Sequence, residues 1–397
     1  GPTEKMLENY ARIKDFPALP KLRMGNVQQY FASLPKAGLP TAVGELYLEL
    51  HRGTLTTQAK VKELNRASEQ RLFEAEVFSS LASIEGYDYP AAQIETAWKT
   101  LLLNQFHDIL PGSSISEVYV DTHRQLEEVV ETATCFRDLV LGLGQAPQHG
   151  IQRLVVANAS INPRPLSVLI PAVVGEESVK DISAEHGVTQ IVDEGTLVTI
   201  PGAEVPGLSS MVLSSAMPAP QSPRPSVTAS ITSAGFVLEN RLLRVTIGPD
   251  GSIHELYDLE ADRNALSDRG NQLWTYVDKP YSWDAWDIDE TYAREGEEIT
   301  DVLSIGIVES GPIRASVRVA RQWRGSSITQ IYRLWSDSKR LDIVTDIDWH
   351  ERQVLLKTHV PTSVRTHQAA FETMYGAVYR PTHRNGPWDA ARFEGCG

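Results

Sequence analysis

LLLNQFHDILPGSSI, residues 101–115, sets His107 and Asp108 side by side just ahead of Pro111-Gly112. Upstream, apolar residues recur at Ile94, Ala97, Trp98, Leu101 and Leu102, and again at Ile109, the three-and-four spacing of a helix with one buried stripe. Pro90 suits the start of that helix. Pro111 with Gly112 marks its stop, because proline lacks the N–H that the next turn needs and disfavours helical backbone in the residue before it. His107 lies one helical step beyond Leu103 and Asp108 one beyond Asn104, which predicts that both project from the last turn of a helix running from Pro90 to about Ile109. A histidine at such a place can simply complement the last carbonyls and the negative end of the macrodipole. Beside a carboxylate it can also hold a metal and a polyol.

Long helical segments flank this one. Thr57–Leu81 is rich in Glu, Lys, Arg and Ala, and Ser116–Leu141 repeats the helical style, so the three together predict a three-helix bundle within residues 46–145. Ser114 and Glu117 offer capping-box spacing for the third helix. Residues 1–45 mix a short helix, Pro2–Ile13, with the strand-like Leu22–Tyr30 and the loop SLPKAGLPTAVG, as the closing edge of an α/β barrel would. After Gly144 the pattern turns to β-branched alternation, in Arg153–Asn158, Ser167–Val174 and Gly195–Ile200, which predicts a small β domain over residues 146–225. The Pro/Ser-rich stretch AMPAPQSPRPS, residues 216–226, reads as a semi-rigid linker. Residues 226–397 are expected to form a large β-sandwich, with strands at Phe236–Ile247, Ile253–Asp258, Ile313–Trp323, Gln330–Leu334 and Leu341–Trp349 and a Pro249-Asp250-Gly251 turn. The expected fold class is therefore α+β and multidomain: the end of an α/β barrel, a three-helix bundle, then antiparallel β-sandwich domains.

Composition narrows the function. At 397 residues and 42% hydrophobic content the chain can fill more than one core. A net charge of −14 argues against nucleic acid, whose binding needs clustered Lys and Arg to displace counterions. No run approaches the roughly 18 apolar residues of a membrane span. Cys135 and Cys396 are too few and too distant for a disulfide framework or a thiolate cluster, which points to a reducing cytoplasm. The Asn158-Ala159-Ser160 sequon would matter only in a secreted protein.

Three further segments combine groups suited to a sugar. In GELYLELHRGT, residues 44–54, Glu49, His51 and Arg52 precede a Gly-Thr helix start that their polar groups could equally serve to stabilise. In SWDAWDIDETY, residues 282–292, Trp283 and Trp286 alternate with Asp284, Asp287 and Asp289. Aromatic faces stack on sugar C–H surfaces while carboxylates accept hydroxyl donors, although two such Trp can also plug the end of a sandwich. In RPTHRNGPWDAARFE, residues 380–394, Arg380, His383, Trp388 and Asp389 form a polar-aromatic loop suited first to packing and second to substrate contact.

These segments, together with GPTEKMLENY (residues 1–10), the continuation of GELYLELHRGT to Arg66, NQFHDILPGSSI (104–115) and ENRLLRVTIGPDGSIHELYD (239–258), occur in order along a chain that resembles glycoside hydrolase family 38. This is the family of zinc-dependent α-mannosidases, and the likeness is to its cytosolic and bacterial branch. The resemblance implies that His107 is a zinc ligand and that Asp108 hydrogen-bonds sugar hydroxyls. Neutral imidazole is a good zinc ligand, and a catalytic zinc keeps an open position that two mannose hydroxyls could fill. It also places Glu49 and His51 near the sugar cleft. It implies further that the remaining zinc ligands, the nucleophile and the acid/base lie upstream of residue 1, so none is assigned here. A retaining glycosidase needs two carboxylates about 5 Å apart. The chain therefore reads as an internal piece, cut also at WDAARFEGCG, expected to lack turnover and to hold zinc poorly alone. The function expected is part of a retaining, zinc-dependent exo-α-mannosidase that removes terminal α-D-mannose from oligosaccharides or N-glycans. The runner-up is a non-catalytic carbohydrate-binding β-sandwich protein. Linkage preference, homo-oligomer formation and cobalt in place of zinc stay open.

Overall fold

The computed structural model describes residues 3–41, 51–142, 154–172, 187–213, 226–289, 291–373, 376–383 and 385. Two compact units divide the chain, one of Gly1–Leu46 with Ala370–Tyr379 and one of Tyr47–Ala369 with Arg380–Gly397. In the first, α1 (Glu4–Ile13) starts at Thr3, whose hydroxyl accepts the Met6 N–H, and α2 (Val27–Ser33) buries no residue. The strand expected at Leu22–Tyr30 is corrected to an irregular stretch leading into α2. Asn26 Oδ1 accepts the Gln29 N–H at 2.8 Å and Gln29 Oε1 accepts the Asn26 N–H at 3.4 Å. This reciprocal box satisfies two of the free N–H groups that open a helix, so it fixes a helix start inside the expected strand.

In the larger unit α3 (Ala59–Ile84), α4 (Ala91–Asn104) and α5 (Ser116–Val140) share one apolar core. Val61, Leu64, Leu72 and Ala75 of α3 meet Ala97 and Leu101 of α4, and Leu126, Val129 and Ala133 of α5. Fully burying a leucine or valine contributes roughly 1.5–3 kcal/mol. Helix α4 stops at Asn104, so the expected end near Ile109 is corrected and His107 lies beyond the helix. The buried Asn104 amide donates to Thr100 O at 2.9 Å and to Gln125 Oε1 at 2.8 Å. The chain then winds through tighter turns, with the Phe106 N–H on Leu103 O and the Ile109 N–H on Phe106 O. The capping box expected from Ser114 and Glu117 does not form either. Ile115 is the N-cap, and the Ser114 hydroxyl is committed to Asp108 O at 2.7 Å.

The remaining sheets with described register are antiparallel. Leu154–Asn158 pairs with Ser209–Leu213, and Gly195–Val205 lies between Arg164–Pro171 and Val188–Val192. A five-stranded sheet, in spatial order Arg263–Asn264, Ile253–Asp258, Leu243–Ile247, Gly235–Asn240 and Val227–Thr232, shares a core with a four-stranded sheet of Ser304–Glu309, Arg314–Trp323, Ser326–Trp335 and Leu341–Asp348. Leu238, Val245 and Ile247 of the first sheet pack with Val317, Val319 and Leu334 of the second. The single strand expected at Phe236–Ile247 is two strands of a hairpin, because Asn240 Oδ1 accepts the N–H groups of both Leu242 and Leu243 at 2.8 Å and turns the chain. Gln272–Val277 is paired on either side by Gly296–Glu298 and Val354–His359. The chain is thus α+β, its helices grouped ahead of antiparallel sheets. The linker expected over residues 216–226 falls outside the described residues except for Ser226. In the sequon, the amide of the buried Asn158 donates to the carbonyls of Asn162, Val205 and Pro206, which leaves it committed to the fold.

Candidate functional site

His107 and Asp108 stand on the turn that follows α4. Their side chains are 73% and 52% exposed, with His107 Nε2 3.6 Å from Asp108 Oδ2. The His107 ring rests against Phe106, centroid to centroid 4.3 Å. The backbone beneath them is fastened: Asp108 O receives the hydroxyls of Ser114 at 2.7 Å, Tyr119 at 3.4 Å and Ser113 at 3.4 Å. Exposed side chains on an anchored backbone are what a ligand site needs, since the functional atoms stay accessible while their origin is fixed.

Two other expected segments meet each other. Residues 51–57 form a turn, with a 3-10 segment at Gly53–Leu55, that leads into α3, and the loop 283–289 docks onto it. The Gly53 N–H donates to Trp286 O at 3.0 Å and the Thr57 hydroxyl to Ala285 O at 3.2 Å. Gly53 is buried so closely that a Cβ would lie 3.1 Å from the backbone of Asp287 and of Trp286. His51 and Trp286 pack edge to face at 5.1 Å. Arg52, 7% exposed, donates to Ile288 O and lies 3.7 Å from Asp287 Oδ1. Asp287 Oδ1 also accepts the Ile288 N–H at 2.9 Å, so this carboxylate braces its own loop. Trp283 and Asp284, by contrast, are exposed.

Lys62 joins these two regions. Its Nζ donates to Thr57 O in the first turn and to Leu110 O, at 2.7 Å, in the turn that carries His107. Burial lowers its pKa to about 8, since desolvation disfavours the ammonium. A cleft of about 410 Å³ opens here, lined by Thr54, Leu55, Lys62, Asn65, Leu110 and Pro111. Lys62 thus ties the turn 51–57, on which the loop of Trp286 and Asp287 is docked, to the turn that carries His107 and Asp108. Arg380 and His383 lie on another element, at the end of the hairpin of Gln368–Thr373 with Gly376–Pro381, where Thr382 bonds back to His367 O at 3.2 Å. Glu49, Trp388 and Asp389 lie outside the described residues. The sequence reading missed Thr57 and Lys62 and gave Arg52 no part in the docking. A lysine among many on a charged helix carries no mark of which carbonyls it will reach.

An exposed imidazole beside a carboxylate suits a divalent metal in chemical type. Among the described residues, no group of three or more His, Cys, Asp or Glu is placed to hold one. Among the described residues, the His107–Asp108 pair offers donors of that chemical type.

Comparison with known proteins defines the lineage. The alpha mannosidase middle domain matches residues 49–142, and the C-terminal domain of glycosyl hydrolases family 38 matches residues 238–397. Alpha-mannosidase 2C1 of Mus musculus is 31% identical over 405 residues, an alignment covering 99% of this chain and 37% of that protein. An alpha-mannosidase of Saccharomyces cerevisiae is 30% identical over 419 residues, covering 100% of this chain and 35% of that protein. In fold, an alpha-mannosidase from Enterococcus faecalis V583 superposes with a TM-score of 0.70 at 17% identity, over 93% of this chain and 51% of that one. The chain spans little more than a third of the length of these curated relatives. With both domain models matched in order and relatives aligned from end to end, the chain belongs to glycosyl hydrolase family 38, whose alpha-mannosidase middle and C-terminal domains it carries.

Proposed function

We propose that this chain is the middle and C-terminal part of a retaining, zinc-dependent exo-α-mannosidase acting on terminal α-linked mannose of oligosaccharides or N-glycans in a reducing cytoplasm. The observation that carries the reading is the exposed His107–Asp108 pair on its fastened turn. His107 would give one imidazole nitrogen to the zinc, and polypeptide outside this sequence would give the rest. When bound, zinc orients and polarises two adjacent mannose hydroxyls. Asp108 accepts a hydroxyl beside that position, and Trp283 and Trp286 offer ring faces to the sugar's C–H surface. Glu49, His51, Asp284, Arg380 and His383 are assigned as outer sugar contacts, with Asp287 acting through the loop that it braces. Residues 1–45 are read as the edge of the catalytic α/β barrel, a reading supported by Met6, Val27 and Phe31, which are 58%, 71% and 64% exposed. The nucleophile and general acid, about 5 Å apart in a retaining enzyme, come from that barrel.

The chain alone is expected to release no nitrophenol from nitrophenyl α-mannoside and to retain no stoichiometric zinc after dialysis. Turnover, or one tightly held zinc per chain, contradicts this assignment. A second reading, a carbohydrate-binding protein without catalysis, is favoured by Trp283, which is 68% exposed at φ +63°. Calorimetric titration of mannose into the chain joined to its upstream polypeptide separates the two. Binding that needs no metal and falls with Trp283→Ala supports the second, whereas binding that depends on zinc and on His107 supports the first.

A further inference from the structure

We propose that Lys62, Asn65 and Glu69 act together as a positioning clamp that sets the His107–Asp108 turn from both sides. The clamp stands on geometry alone, and only its purpose rests on the role assigned to His107. The three residues lie at i, i+3 and i+7, a single stripe of α3 beside the core stripe of Val61, Leu64 and Leu72. On the near flank, the Gln105 amide donates to Asn65 Oδ1 at 2.9 Å and to Glu69 Oε1 at 3.0 Å. The Asn65 amide in turn donates to Glu69 Oε1 at 3.3 Å, and Arg66 Nη1 holds Glu69 Oε2 at 3.3 Å. On the far flank, Lys62 Nζ donates to Leu110 O at 2.7 Å. Gln105 precedes His107 and Leu110 follows it, so the residues between are pinned at both ends.

All three clamp residues are half-buried, and their bonds run to the turn's flanks and leave the imidazole exposed. The stretch they span lies beyond α4, outside the regular hydrogen-bond ladder of a helix. A metal ligand on such a stretch needs an external frame, because an error of an ångström in its position costs most of its value. Lys62 suits the far flank because a long, multiply donating head can reach two carbonyls at once. Arginine can replace it there and methionine cannot.

Histidine-selective NMR of the whole chain, without metal, tests the clamp. With the two rings 4.3 Å apart, the ring current of Phe106 is expected to displace the His107 ring-proton signal, which His107→Ala assigns. Lys62→Met and Gln105→Ala should each collapse that displacement toward the free-histidine position, with the His123 signal on α5 unmoved, and Lys62→Arg should restore it. An unmoved His107 signal in these variants, or His123 shifting in step with it, overturns the clamp. Gln105→Ala leaves Lys62 intact and decides alone should Lys62→Met fail to fold. Because the readout uses no metal, a failure of zinc to bind at His107 would leave this signature in place, and a failed clamp would leave the zinc assignment to its own test.

Discussion

Gly112 holds φ +98°, and a Cβ built there would lie 2.6 Å from Thr57 O and 2.9 Å from Thr57 C. Left-handed backbone and a collision with main chain both act against any side chain at this point. Gly112→Ala is expected to lower unfolding free energy by about 2–3 kcal/mol in urea titration, and a loss within error of zero would contradict the packing described. Arg52→Met removes the donor to Ile288 O and the charge beside Asp287, both within a buried junction. A cost of roughly 3 kcal/mol is expected, with Trp286 fluorescence reporting a loosened loop, and an unchanged protein would argue that the loop docks by other means. The contrast between these residues shows what a sequence discloses. His107 and Asp108 are adjacent, so their chemistry is visible as a doublet, whereas Arg52 and its carbonyl partner stand 236 positions apart and no local pattern joins them.

Among elements, α3 was legible because a long run rich in Glu, Lys, Arg and Ala leaves little competition, while the buried faces of α3 and α5 are seen only in the core they share. Boundaries set by single side chains were not legible. The Asn26–Gln29 box turned an expected strand into α2, α4 ended early at Asn104, and Asn240 folded one expected strand into two. Several short strands, such as Val188–Val192 and Ser304–Glu309, owe their form to the partners beside them and carry little signal alone. Helix α3 also yields a pH prediction. Burial lowers the Lys62 pKa from 10.5 to about 8, so between those values the folded chain has released a proton that the unfolded chain still binds. Stability must then rise with pH across that window, since the burden of the buried ammonium is carried in full below about pH 8 and relieved above it. The difference in unfolding free energy between the chain and Lys62→Met should grow in the chain's favour from pH 8 to 10.5, and a flat difference would contradict the burial of this amine.

For the whole molecule, the middle and C-terminal domains are identified, and the zinc and the hydrolysis are proposals that reach beyond this polypeptide. Six ordered strings revealed the family in the sequence. The docking of the loop 283–289 against residues 51–57, which joins the first of these domains to the second, emerged only from the fold. The most direct measurement is a zinc titration by calorimetry of this chain joined to the upstream polypeptide of its parent, as wild type and as His107→Ala. One zinc per chain is expected in the wild type, with a loss of affinity in the variant greater than the roughly 10–100-fold that follows removal of an outer-shell partner. Zinc bound with undiminished affinity by His107→Ala would contradict it.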